Sequence, residues 1–208
     1  MSESSITRFQ EEVARAFFAL PEADSFLLAG GLALAAHGLT TRPTEDLDAF
    51  TSRAGDVAKA FDAFVHAANE RRWSVEAVQA SETFVRLRVS GHDLLIVDLA
   101  LDSPPGMPPT MSILGPTFAP EELAARKLLA LFDRAMPRDF VDVFHLARRW
   151  DREDLMALAA TIDSGFETSA FATALRQLDR YRDSDVPIDA DDVTELRSYF
   201  RVWVRDLG

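Results

Sequence analysis

The chain has 208 residues and no cysteine, and only two of its 22 basic residues are lysines. The absence of cysteine excludes disulfides, thiolate catalysis and cysteine-ligated zinc sites, and it is typical of proteins of a reducing compartment. No apolar run approaches the roughly 20 residues that a membrane span needs, and the N-terminus lacks a basic start followed by an apolar stretch. These absences predict a soluble, cytoplasmic protein with no membrane partner.

The net charge is −12, which disfavours non-specific binding of polyanions because nucleic-acid affinity usually depends on a basic surface. The charge is unevenly distributed, however. Arginines stand at positions 71, 72, 86 and 88, whereas residues 183–195 form an acidic run. Since net charge does not determine the potential of a local groove, the composition makes a nucleic-acid partner less favoured without excluding it.

Residues 26–50, FLLAGGLALAAHGLTTRPTEDLDAF, are the most informative segment. An apolar run predicts a short buried strand that ends at Gly30 and Gly31, where the backbone turns into a short helix whose first N–H groups can meet an anion. The chain then reverses and enters a second strand, in which period-two alternation puts Asp46 and Asp48 on one face. The segment therefore predicts a phosphate cradle next to a pair of carboxylates.

A glycine pair alone is more simply a turn, and an Asp-x-Asp pair alone is more simply a solvated strand end. Together, within about 25 residues, they form parts that serve one site. Carboxylates two residues apart on a strand repel each other, and hard oxygen ligands suit Mg²⁺ bound to substrate phosphates. The combination predicts a site for a metal-bound nucleoside triphosphate.

The rest of the chain separates into a mixed part and a helical part. Apolar spacing predicts helices over 5–20 and 55–70, strands over 73–79, 83–90 and 93–101, and helices from 119 onward. Four prolines and a glycine in 103–109 predict the boundary. The expected fold is α+β, with a mixed sheet and flanking helices in domain 1–110 and a helical bundle in domain 111–208.

Asp98 lies inside the apolar run LLIVDLAL, where a lone carboxylate is costly unless it meets a cation or hydrogen-bond donors. It is the candidate for a third carboxylate of the metal site. The alternative is that Asp98 only ends or edges the sheet. Asp102, beside the proline-rich loop, remains a second candidate for the third carboxylate.

Lys127 is the second notable position, because a lysine is rare in this chain. At helical spacing it shares a face with Arg134, which indicates a cationic stripe that could grip triphosphate oxygens. Arg138 and Asp142 lie one helical turn apart, so Asp142 can orient either that arginine or Lys127. The alternative is an ordinary surface ion-pair network, which contributes little. No histidine is assigned to catalysis, since the four show no metal-ligand spacing.

These motifs resemble the nucleotidyltransferase superfamily and, within it, the AbiEii/MenT-like toxin nucleotidyltransferases of bacterial toxin–antitoxin and phage-abortive systems. The wider superfamily mostly has Gly-Ser in the first motif, whereas this chain has Gly-Gly, as is common in the toxin-like branch. The resemblance covers most of residues 26–150 and is carried by Gly30, Gly31, Leu34, His37, Gly38, Arg42, Thr44, Asp46, Asp48, Lys127, Arg134, Arg138, Asp139 and Asp142.

The resemblance implies a toxin that uses an NTP and Mg²⁺ or Mn²⁺ to transfer a nucleoside monophosphate to an RNA acceptor, the 3′ end of tRNA, and so blocks translation. It also implies a cognate antitoxin and an active-site cleft completed by the helical domain. The resemblance also implies catalytic-site roles for Lys127 and Asp142. Together with the motifs above, the expected site residues are Asp46, Asp48, Lys127 and Asp142 for catalysis, Asp46, Asp48 and Asp98 for the metal, and Gly30, Gly31, Arg134 and Arg138 for phosphates.

Two other functions remain open at this point. A small-molecule nucleotidyltransferase of the antibiotic-modifying kind would need no basic groove, and the acidic chain fits it. A non-catalytic interaction protein could also keep the fold. Thr44 is a possible regulatory phosphosite, because a phosphate there would add negative charge beside the metal carboxylates and block triphosphate binding. The alternative is a threonine that only begins the strand.

Overall fold

The computed structural model describes residues 5–208, which form two compact units. The sheet unit comprises the residues up to Gly38 and Pro43–Pro120. The helical unit comprises Leu39–Arg42 and Glu121–Gly208. The short segment 39–42 therefore belongs by its contacts to the helical unit, although it lies between two elements of the sheet unit.

The sheet unit is built on one mixed sheet of seven strands, in the order β3-β4-β5-β2-β1-β7-β6. The pairs β2/β5 and β1/β7 are parallel, and the other neighbouring strands are antiparallel. The strands are β1 Phe26–Ala29, β2 Asp46–Thr51, β3 Ser74–Ala80, β4 Phe84–Ser90, β5 Leu94–Leu101, β6 Thr110–Ser112 and β7 Gly115–Thr117.

From residue 5 onward, this unit has three α-helices: α1 Arg8–Phe18, α2 Gly30–Ala36 and α3 Asp56–Glu70. A capping box begins α1, in which Thr7 and Gln10 satisfy each other's backbone N–H groups. Helix α3 contacts β3, β4 and β5, so it covers one face of the sheet. Phe17 of α1 packs edge-on against Phe26 and Phe64, with ring centroids 5.4 and 5.8 Å away, and joins both helices to the sheet.

The helical unit contains α4 Pro120–Arg134, α5 Pro137–Leu146, α6 Arg152–Ile162, α7 Thr168–Leu175 and α8 Ala190–Leu207. Its core is aromatic: Phe140 meets Phe200 edge-on at 5.1 Å, and Phe171 meets Trp203 at 5.3 Å. Asp151 caps α6 by accepting from the backbone N–H of Asp154. Within residues 5–208 no helix combines the length and apolarity that crossing a bilayer requires.

The predicted α+β class is confirmed, and one boundary differs from the expectation. The proline-rich loop 103–109 connects strands of the same sheet, because the β6–β7 hairpin follows it and Thr117 pairs with Leu28 of β1. The contacts therefore divide the chain after Pro120, whereas domains 1–110 and 111–208 were expected. Proline interrupted the strand pattern, and the two short strands beyond it carry too few residues to show alternation.

Candidate functional site

The turn from β1 into α2 brings the backbone against a carboxylate. Gly30 begins α2 with φ +64°, a conformation that favours glycine. A Cβ added there would lie 1.8 Å from Oδ2 of Asp48, so no other residue fits without displacing that carboxylate. Asp48 faces Ala29 in the antiparallel pairing of β1 with β2. The glycine pair and the Asp-x-Asp motif thus meet at one point, as the sequence predicted.

Asp46 and Asp48 are both half-buried and alternate with the buried Leu47 and Ala49 along β2. The carboxylates therefore share one face of the sheet. The Thr44 hydroxyl donates to Asp46 Oδ1 at 3.0 Å, and Gln10 donates its side-chain amide to the Thr44 carbonyl at 2.6 Å. These hydrogen bonds fix the backbone just before β2 begins. Thr44 is buried, and its role as a regulatory phosphosite stays a prediction.

A row of charged residues crosses three neighbouring strands on this face. Asp98 of β5 is the register partner of Asp48, and Arg86 of β4 is the register partner of Asp98. The Arg86 guanidinium donates to both oxygens of Asp98, at 2.8 and 2.6 Å. Asp102 stands just beyond the end of β5 and accepts from the backbone N–H of Ser103. Asp98 is therefore the carboxylate adjacent to Asp48.

The hydrogen bond from Arg86 to Asp98 raises the pKa of Arg86; burial opposes this effect, and the charges of Asp98, Asp48 and Asp46 add to it. One guanidinium therefore lies within the electrostatic range of all three carboxylates. This arginine was not among the predicted site residues. Its signal in the sequence was the short gap between the predicted strands 83–90 and 93–101, because a tight turn there pairs residues near position 86 with residues near position 98.

The donor set at β2 fits a hard divalent cation. Two carboxylates on one face supply the oxygen ligands that Mg²⁺ prefers, and the close turn at Gly30 leaves backbone rather than a side chain beside them. Within residues 5–208, no three acidic or histidine side chains converge on one metal position. Both oxygens of Asp98 are paired with Arg86, and Asp98 does not converge with Asp46 and Asp48 on one metal position. Its role as a third metal ligand therefore stays a prediction.

The helical unit holds a buried network of charges. Nζ of Lys127 lies 3.0 Å from Oδ2 of Asp142 and 3.4 Å from Oδ1 of Asp139. Arg134 donates to both oxygens of Asp139, each at 2.9 Å. The side chain of Lys127 is 7% exposed and those of the two aspartates 0%, whereas that of Arg134 is 46% exposed. The network thus reaches solvent at its Arg134 end.

Segment 39–42 completes the network from a distant part of the sequence. Arg42 donates to both oxygens of Asp142, at 3.1 and 3.0 Å. The Thr40 hydroxyl donates to Asp142 Oδ1 at 3.1 Å and lies 2.9 Å from Nδ1 of His145. With Arg42 included, three cations face the two carboxylates Asp139 and Asp142. Pairing of this kind is what permits charged groups to be buried.

The balance of burial and charge sets the pKa values in this network. Burial alone raises the pKa of Asp142, but Lys127 and Arg42 outweigh it and hold the pKa below its ordinary value. Burial likewise raises the pKa of Asp139, and Arg134 and Lys127 reverse the direction. Burial, followed by the charge of Arg148, lowers the pKa of His145 and favours its neutral form.

One interpretation of the helical segment needs correction, and a second gains a partner that the sequence did not show. The spacing of Lys127 and Arg134 indicated an exposed cationic stripe, but Lys127 is buried between carboxylates of the next helix. Asp142 was expected to orient Arg138 or Lys127; the structure pairs it with Lys127, and it adds Arg42, which the sequence did not connect to it. Helical periodicity identifies which residues share a face but not what packs against that face.

Arg42, Thr40 and Asp139 were not predicted as site residues, although the resemblance included Arg42 and Asp139. Arg42 and Asp142 are separated by 100 positions. No local pattern connects them. The Asp139 carboxylate pairs with two cations of α4, Lys127 and Arg134. The four histidines retain no catalytic assignment, and His37 contacts the Thr117 hydroxyl at 2.7 Å.

A family model described as "Nucleotidyl transferase AbiEii toxin, Type IV TA system" matches residues 13–201. No curated protein sequence matches the chain significantly. Among solved structures, JHP933 from Helicobacter pylori is similar with a TM-score of 0.63 and 19% identity, over 100% of this chain and 94% of that one. A putative nucleotidyltransferase from H. pylori has a TM-score of 0.61 and 18% identity, over 100% and 97%.

A third similar structure is MenT4, a nucleotidyltransferase toxin from Mycobacterium tuberculosis, with a TM-score of 0.61 and 17% identity over 98% of this chain and 91% of that one. At these identities the structural matches establish the fold. The family model covers most of the chain, including both the Gly30 turn and the Lys127 network. The chain therefore belongs to the AbiEii family of nucleotidyltransferase toxins of type IV toxin–antitoxin systems.

Proposed function

We propose that this protein transfers a nucleoside monophosphate from an NTP to the 3′ acceptor end of tRNA in a metal-dependent reaction, and that this modification blocks translation. The observation that carries the proposal is the contact of the Gly30 backbone with the Asp48 carboxylate in a chain of this family. It joins a backbone surface suited to phosphates with a carboxylate suited to a cation. Both substrates are cytoplasmic molecules, so we propose that location for the protein.

In the proposed reaction, the oxygen of the acceptor hydroxyl forms a bond to the α-phosphorus of the NTP. The bond from that phosphorus to the oxygen bridging to the β-phosphate breaks, and pyrophosphate leaves with the bonding electron pair. The proton of the hydroxyl passes to Asp98, which Arg86 keeps oriented through its two hydrogen bonds. The backbone at Gly30 and Gly31 contacts the phosphates.

Asp46 and Asp48 would hold Mg²⁺ or Mn²⁺, which supplies neutralisation of phosphate charge and orientation of the triphosphate. In the helical unit, we retain Lys127 and Asp142 as proposed catalytic-site residues, with Arg134 and Arg138 as proposed phosphate-binding residues. What supports Lys127 and Asp142 is the burial of Lys127 between two carboxylates, and what supports Arg134 is its place at the exposed end of the same network. Such an arrangement is seldom retained for stability alone, since apolar residues of similar volume often serve as well.

The net charge of −12 favours a second acceptor class, a small molecule carrying a hydroxyl, because such an acceptor needs no basic surface.

The direct test incubates purified protein with Mg²⁺, each of the four labelled NTPs, and tRNA, an aminoglycoside or a protein as acceptor. Label on tRNA at its 3′ end supports the proposal. Exclusive labelling of the aminoglycoside or the protein would contradict the proposal of an RNA acceptor but would still support nucleotidyltransferase activity.

A matched pair of variants tests the site in the same assay. Asp48→Asn removes a proposed metal ligand at almost constant volume and is expected to abolish transfer. Asp102→Asn makes the same chemical change past the end of β5, where Asp102 accepts from its neighbour Ser103, and is expected to keep transfer. Normal transfer by Asp48→Asn would remove the proposed metal site. Absence of transfer from the unmodified protein to every acceptor would leave the interaction-protein alternative.

The family also supports a cognate antitoxin as partner, which we propose without assigning its binding surface. Expression of the protein in bacteria should arrest growth, and the Asp48→Asn variant should not. A co-transcribed neighbouring gene that relieves the arrest would identify the antitoxin. Growth arrest that persists in the Asp48→Asn variant would show that toxicity does not require the proposed site.

A further inference from the structure

Arg86 occupies an unusual place among the charged residues of the sheet face. It ends the row that begins with Asp48 and continues through Asp98, and it donates to both oxygens of Asp98. The Asp98 side chain is 7% exposed, so its charge requires a partner, whereas the Arg86 side chain is 45% exposed and reaches the row from solvent. The charge that neutralises Asp98 is therefore supplied by the Arg86 side chain.

We propose that Arg86 is a positioning residue that acts as a resident cation: it holds Asp98 where a second divalent cation would otherwise bind, so the protein without nucleotide binds one ion, through Asp46 and Asp48. This inference rests on the proposed metal-dependent function. It goes beyond that function because it sets the number of bound metal ions and states that the Arg86 side chain takes the place of the second ion.

The geometry gives two reasons. A fork that uses both Asp98 oxygens leaves this carboxylate less able to turn toward a metal ion on the Asp48 side. The guanidinium also carries a fixed positive charge that repels a divalent ion close to Asp98, while an ion placed between Asp46 and Asp48 lies farther along the face. In the part of the chain from residue 5 onward, no group of three potential metal ligands converges, which agrees with this division.

The same strand supplies a matched control. Arg88 lies two residues along β4 on the same face, and its side chain is 43% exposed. It pairs with Glu76 of the edge strand β3, whose side chain is 65% exposed, rather than with the carboxylate row. Arg86→Gln and Arg88→Gln therefore remove the same charge from the same face at similar exposure, and only the first change releases Asp98.

The experiment titrates Mn²⁺ into the nucleotide-free protein and follows the free Mn²⁺ signal by electron paramagnetic resonance. We expect one bound ion per chain in the unmodified protein and in Arg88→Gln, two in Arg86→Gln, and one in Arg86→Lys, where a cation is retained. A second readout is thermal unfolding in EDTA. The midpoint of Arg86→Gln should fall below that of Arg88→Gln, and Mg²⁺ should restore it, because an added ion replaces the missing cation.

Arg86→Gln could have a lower thermal midpoint that Mg²⁺ does not restore while the variant still binds one ion. This result would mean that Arg86 only packs against the sheet, and it would overturn the inference. Two ions in the unmodified protein would overturn it without any variant, which covers failure of Arg86→Gln to fold. One ion in the unmodified protein and unchanged stoichiometry in Arg86→Gln overturns the inference and leaves the proposed function intact. No bound Mn²⁺ in the unmodified protein also overturns the inference, and the transfer assay then decides the proposed function separately.

Discussion

Replacing Lys127 with alanine is expected to lower the free energy of unfolding by about 3–5 kcal/mol, the range observed when one partner of a buried ion pair is removed. Nζ of Lys127 lies 3.0 Å from Asp142 and 3.4 Å from Asp139, and both aspartate side chains are fully buried. Arg42 and Arg134 would remain as partners of these carboxylates, which limits the loss. Deletion of the buried aliphatic stem increases it.

The two contributions can be separated by a second substitution. Lys127→Met keeps a stem of similar length and removes the charge, so the difference between the alanine and methionine variants reports packing. Three fewer methylene-sized groups at roughly 0.8 kcal/mol each predict a difference of about 2 kcal/mol. Lys59→Ala is the control, because Lys59 is 67% exposed and pairs with Asp56 at the surface. Its removal should not change stability measurably.

Urea unfolding followed by circular dichroism measures these free energies, with an unchanged slope as the condition for comparing variants. Equal stability of the Lys59 and Lys127 alanine variants would refute the burial argument. Because Lys127→Ala perturbs the fold, its loss of transfer alone does not establish catalysis. Lys127→Arg retains the charge but replaces a compact ammonium with a planar fork, and we expect it to fold and to transfer poorly. Full transfer by this variant would contradict the catalytic assignment.

Three further predictions follow from contacts already described. Gly30→Ala should abolish stabilisation by Mg²⁺, because the new Cβ displaces Asp48. Gly38→Ala should keep it, because Gly38 has a similar φ of +66° but nothing within 4 Å of the added Cβ. Loss in both variants would implicate backbone strain alone. The pKa of Asp142 lies below its ordinary value of 3.8, so its stabilising contribution is complete above that pH and disappears as the pH falls through the folded value. Asp142→Asn should thus flatten the decline of the thermal midpoint below about pH 4, and an unchanged decline would contradict this assignment. Finally, NTP should raise the thermal midpoint only when Mg²⁺ is present, and equal stabilisation in EDTA would count against a metal-bound triphosphate.

Local patterns were sufficient for much of the sheet unit. The strand, glycine turn and short helix at 26–36 follow from an apolar run followed by Gly30, and the alternation around Asp46 and Asp48 predicted their common face. The α+β class and the resemblance to the AbiEii family came from the same segment, and the family match confirms both. These features are local because steric preference and side-chain period act between residues a few positions apart.

The hairpin between β4 and β5 shows where local reasoning ends. Its two strands were predicted from the sequence, but the pairing of Arg86 with Asp98 depends on the register. A slip of one residue would turn every side chain of the strand to the other face. The sequence placed Asp98 in an apolar strand and so predicted a cationic partner or hydrogen-bond donors. It did not identify that partner as an arginine twelve positions earlier rather than a metal ion.

By itself, the sequence determined the class of fold, the family, the glycine turn and the pair of carboxylates, all of which depend on residues close together in the chain. Only the tertiary structure decided the rest. It put Asp98 beside Asp48 through a parallel pairing of β2 with β5, and it closed the Lys127 network with Arg42, 100 positions before Asp142. Parallel pairing and buried ion pairs join residues that no short period relates, because burial and charge compensation are satisfied in space and not along the chain.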